Sequence, residues 1–187
     1  MKRRSAFLAI AAAGILAVAP APAGADPNNE SGTWQLHMER PNTSMASNGD
    51  TLALTGTGVF STHPKSVTAS GTFIHRVAGG GTFTGTWTAT QLLSFEFYGC
   101  GVIPSIGATL PPNLCGGALK MRVMFMPSGT TASLPGIITV FCVVGPQAPT
   151  PHDNPTQPGE EGATAVLPGV ANFNKIVSGM NIYIRTS

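Results

Sequence analysis

The sequence predicts an all-β protein, a small antiparallel β-barrel or curled β-sandwich of about 8 strands after an N-terminal signal peptide. Three observations carry this. Apolar and polar residues alternate through much of the chain, most visibly in TFTGTWTATQLLSFEFYG at 82–99. No segment sustains a helical period. Between the alternating runs lie Gly, Pro and Asn clusters of the kind that turn one strand back onto the next.

The chain opens MKRRSAFLAIAAAGILAVAPAPAGA, with Lys2, Arg3 and Arg4 ahead of an apolar run from Ala6 to Ala19 and an Ala23-Gly24-Ala25 cleavage pattern. Residues 1–25 therefore read as a signal peptide and 26–187 as a single secreted β-domain. The apolar run is shorter than the roughly 20 residues a membrane helix needs, and no later segment reaches that length, so no span is expected after cleavage. No cysteine follows the cleavage site to receive a lipid. The short leader, rich in arginine and alanine, points to a bacterial exporter, with the mature protein extracellular or in the cell envelope.

Without the three leader cations the formal charge of +2 becomes −1. The mature part has no Lys/Arg cluster, so the footprint of a nucleic-acid binder is missing. Only 10% of residues are charged, so the outer faces of the strands must be covered largely by Thr, Ser, Asn and Gly.

Strand by strand, SGTWQLHMER puts Trp34, Leu36 and Met38 on one face, and PNTSMASNGD reads as a turn-rich connection. TLALTGTGVF aligns Leu52, Leu54, Gly56, Gly58 and Phe60. SVTASGTFIHRV aligns Val67, Ala69, Gly71, Phe73 and His75, and AGGG closes a hairpin onto the 82–99 run. That run places Phe83, Gly85, Trp87, Ala89, Gln91, Leu93, Phe95 and Phe97 on one face. It far exceeds the usual strand of about 5 to 6 residues, so it must bend or divide, with Gly85 the expected bend. ALKMRVMF aligns Leu119, Met121, Val123 and Phe125. IITVFCVV is apolar on both parities, as a strand covered on two sides would be. GPQAPTPHDNPTQPGEEG, 145–162, reads as an exposed Pro-rich loop, and TAVL, ANFNKIVSG and NIYIR as three short closing strands.

Glycine stands two residues before an aromatic in Gly32-Thr33-Trp34, Gly71-Thr72-Phe73, Gly81-Thr82-Phe83 and Gly85-Thr86-Trp87. The expected reason is packing, because a cross-strand glycine leaves room for a ring to lie over it. The GTW near the mature start and GTFTGTW further on resemble the openings of avidin- and lipocalin-type up-and-down barrels. GGGTFTG is similar to the glycine-rich hairpin of dirigent and allene oxide cyclase barrels. These short resemblances imply a small β-barrel, and no ligand-binding residue of those families transfers to this chain.

In an oxidising compartment the three cysteines favour a disulfide over a metal or redox site. Cys100 with Cys115 is the expected pair, stapling the Pro/Gly loop between them, with Cys142 as the alternative partner or as a buried, inert thiol. His75 and Gln91 share a parity with core residues, which makes them candidates to hold a ligand in the mouth of a barrel. His37, His63 and His152 have no zinc spacing. Asp153, Asn154, Glu160 and Glu161 lie close in sequence but lack the pattern of a calcium loop. No nucleophile, paired-carboxylate or phosphate-loop motif occurs, so no catalytic residue, metal or cofactor is assigned. The expectation is a non-enzymatic exported domain that binds a small apolar or glycan ligand, or a surface partner, through its loops. The alternatives are a cyclase-type barrel enzyme acting on a lipid-like substrate through His75 or Gln91, and a structural envelope protein.

Overall fold

The structure, a computed structural model, describes residues 30–149 and 161–187. The expected signal peptide and most of the Pro-rich loop, 150–160, lie outside the described residues. Eight strands wind up and down into a closed antiparallel barrel: β1 (Thr33–Ala46), β2 (Thr51–Thr62), β3 (Lys65–Arg76), β4 (Thr82–Cys100), β7 (Leu114–Pro127), β8 (Leu134–Cys142), β9 (Gly162–Leu167) and β10 (Ala171–Arg185). Each pairs with the next barrel strand along the chain, and β10 closes onto β1. β5 (Val102–Ile103) and β6 (Ala108–Thr109) form a small separate ribbon in the excursion between β4 and β7. No helix among the described residues is long and apolar enough to cross a membrane.

Alternation sets which side chains point inward. On β1 Trp34, Leu36 and Met38 are buried, and the same parity continues through Asn42, Ser44 and Ala46. The first part of the expected turn, 41–46, is therefore strand, and only 47–50 turns. At the end of the chain ANFNKIVSG and NIYIR are one continuous strand, β10, because β1 pairs with it along most of its length. The Gly–aromatic pattern is packing, as expected: Phe73 pairs with Gly85 and Trp87 with Gly71. A Cβ on Gly85 would lie 2.6 Å from the Phe73 ring.

β4 runs unbroken for 19 residues. Its register against β7 shifts between Ala89 and Gln91, Leu92 and Ser94, and Phe97 and Gly99, while Gly85, the expected bend, stays in regular register opposite Pro127. Each bulge inserts a residue and flips the parity of the residues beyond it. Trp87 is buried, Leu92 replaces Leu93 as the inward leucine, and after the second shift Phe95 returns to the core.

The up-and-down order gives the barrel two different ends. The tight connections at 47–50, 77–81, 128–133 and 168–170 all lie at one end, called here the mouth. The opposite end, the base, carries the β2–β3 turn, the β4–β7 excursion, the end of β8, the start of β9 and the C-terminal end of β10. The base is filled by aromatic rings, with Trp34 stacked on Phe60 at 5.3 Å, and Phe95 packed edge-on against both Phe60 and Tyr183. Cys100 and Cys115 face each other across β4 and β7 and are joined in a disulfide. Closing a loop of 15 residues contributes roughly 3 kcal/mol in the chain-entropy model.

Candidate functional site

At the mouth the barrel is not filled. An apolar cavity of about 310 Å³ opens there, at the lower end of the range of small-molecule sites and in the position where small barrels hold ligands. Leu52 of β2, Phe73 of β3, Phe125 of β7 and Phe173 of β10 supply inward-facing side chains, all buried or nearly so. The rim is built from Phe83, Leu134, Leu167, Val170 and the 128–133 turn. Phe83, expected in the core, is 56% exposed. It is the second residue of β4, where the barrel wall ends and no layer remains above it.

Among the described residues His75 is the only ionisable side chain lining this cavity. Its side chain keeps 13% of its surface accessible and lies 5.3 Å from the Phe173 ring, edge to face. His75 Nε2 donates to Asp50 Oδ2 at 3.0 Å, and the Ala78 N–H donates to Asp50 Oδ1 at 2.9 Å. The Asn48 side chain in turn accepts from the Asp50 N–H at 3.1 Å. The Ala78 N–H and then His75 hold the Asp50 carboxyl below the usual carboxylate range. Asp50 thus ties the β1–β2 turn to the β3–β4 turn and orients the imidazole. Sequence reasoning misses it, since an aspartate after Asn48-Gly49 reads as turn chemistry. The available signal is register, because Leu52 pairs with His75 and Asp50 lies two residues before Leu52.

Gln91 does not join His75. The bulge between Ala89 and Gln91 turns it outward, and it is exposed on the barrel wall below the mouth. Its expected inward orientation is therefore corrected. His37 meets Gln35 at 3.3 Å, and His63 meets Ser31 at 3.4 Å at the base. Among the described residues no group of at least 3 His, Cys, Asp or Glu side chains converges as a metal site. Asp153, Asn154, Glu160 and His152 lie outside the described residues.

A second polar cluster is enclosed within the barrel wall. Asn42 and Asn181 exchange side-chain hydrogen bonds at 2.9 and 2.8 Å. Asn181 Nδ2 also donates to the carbonyls of Phe141 at 2.9 Å and Gly162 at 3.0 Å. The Glu161 carboxylate accepts the N–H groups of Asn181 at 2.6 Å and Val143 at 3.3 Å. These groups sit where β8 and β9 stop and β10 begins to pair directly with β7, so side chains replace ladder bonds that those two strands no longer supply. Glu161, expected in a solvated loop, is a structural acceptor, and burial raises its pKa. The free thiol of Cys142 is fully buried and donates to the Asn181 carbonyl at 3.1 Å. Burial, with the Glu161 charge nearby, pushes it up to about 12. Iodoacetamide at mildly alkaline pH is therefore expected to leave Cys142 unmodified in the folded protein and to alkylate it fully in denaturant. Rapid labelling of the native protein, read by mass spectrometry, would contradict this placement.

No family model, no curated protein and no solved structure matches this chain.

Proposed function

We propose that the protein is an exported, non-enzymatic β-barrel that binds a small apolar ligand in its mouth. The leader-like N-terminus supports export, and the disulfide fits an oxidising compartment. The apolar cavity carries the binding reading. Its walls are almost entirely hydrocarbon and aromatic, with His75 and Thr130 the only polar side chains among the described residues that line it. Such a lining favours an apolar ligand over a glycan, whose hydroxyls need many partners.

An environment-sensitive fluorophore such as phenylnaphthylamine is expected to brighten on binding the mature protein and to be displaced by short aliphatic competitors. Ala132→Trp, on the exposed rim, should fill the entrance and reduce probe affinity by tenfold or more, about 1.4 kcal/mol, while leaving the unfolding midpoint almost unchanged. Equal affinity in the variant would place the probe elsewhere and remove the support for a mouth site.

The His75–Asp50 pair favours a second reading, in which His75 serves as a base toward a lipid-like substrate. Among the described residues only one ionisable side chain faces the cavity, and no second acid or base stands opposite it, so binding is the better supported of the two. Release of a ligand chemically unchanged after prolonged incubation would favour binding. Conversion of the ligand would favour the enzyme.

A further inference from the structure

We propose that the mouth cavity selects an apolar molecule bearing a hydroxyl group, which donates its proton to Nδ1 of His75. The inference rests on the reading of the cavity as a ligand site and names the chemistry of its occupant. Nε2 of His75 is committed to Asp50, and a carboxylate can only accept, so Nε2 carries the ring hydrogen in the neutral imidazole. Nδ1 is then the acceptor. Among the described residues it makes no hydrogen bond, although its ring is largely enclosed and lies against Phe83 and Phe173.

Among the described residues, every other side chain that lines the cavity is apolar apart from Thr130 on the rim turn. A ligand placed here therefore meets one oriented acceptor in a hydrocarbon wall. A hydroxyl satisfies that acceptor, whereas an ether of the same size offers no donor and leaves Nδ1 desolvated and unpaired. A carboxylate is disfavoured for a different reason, because it brings a second negative charge close to Asp50. Asp50 is fixed by the Ala78 N–H as well as by the imidazole, so the ring cannot easily turn to present a donor instead. In the same way a second partner sets the tautomer of a metal-binding histidine.

The test uses n-octanol, methyl octyl ether and octanoate as competitors against bound phenylnaphthylamine at neutral pH. Octanol is expected to bind about tenfold more tightly than the ether, with octanoate the weakest. In His75→Leu the preference for alcohol over ether should collapse toward unity while the ether keeps its affinity. The comparison within the wild-type protein needs no variant, so a His75→Leu protein that fails to fold leaves the proposal open to refutation. If ether and alcohol bind equally to the wild type, the hydroxyl anchor is overturned and the apolar cavity stands. If none of the competitors displaces the probe and the probe itself does not bind, the cavity reading falls and the anchor with it.

Discussion

Trp87→Ala is expected to lower the unfolding free energy by about 3 to 5 kcal/mol, seen as a lower urea midpoint at an unchanged slope. Trp87 is completely buried. It pairs with Gly71 of β3, and its ring reaches across to β2, where a Cβ on Gly56 would run into it. Its indole Nε1 donates to the Thr55 carbonyl at 2.9 Å. Truncation would therefore open a cavity between three strands and leave a backbone acceptor without its partner, two costs that add. Trp87→Phe keeps most of the hydrophobic area and should lose about 1 to 2 kcal/mol, mainly the hydrogen bond. An alanine variant as stable as the parent would mean that β4 does not present this face to the core.

The second large effect belongs to the asparagine pair in the barrel wall. Asn181→Ala is expected to cost about 2 to 4 kcal/mol, because it strands the Asn42 amide and the carbonyls of Phe141 and Gly162 inside the protein. Asn42→Ala should cost less, since it leaves fewer groups unpaired. The double variant should be clearly more stable than the sum of the two losses predicts, as the second substitution removes a group the first had already orphaned. Strict additivity in a denaturant-based double-mutant cycle would show that the two amides do not act as a unit. Both residues are almost completely buried, so solvent could not mask the coupling.

The two effects differ in how far the chain alone announces them. Trp87 is legible because strict alternation runs from Gly85 to Ala89 before the first bulge, and period two assigns its face without reference to any partner strand. Asn181 is not. In NIYIR and its surroundings it looks like a polar residue at a strand boundary, and its partner Asn42 lies 139 positions away in a segment that reads as a turn. Gln91 misleads in the opposite direction. Its parity marks it as inward, but the bulge that flips it is a mismatch between β4 and β7, a property of two strands together. The inward position of His75 can be read from its own strand, whereas the Asp50 that orients it is hidden by ordinary turn chemistry.

Local alternation, glycine placement and spacing within short stretches of chain were enough to settle the all-β class, the inward face of most strands and the favoured cysteine pair. Nothing local could show that the sheet closes as a barrel, that its base is plugged by rings while its mouth stays open, or that Asp50 meets His75 there. Those outcomes depend on register between strands and on the bulges that shift it, and register is set by how separate segments bury their apolar faces against one another.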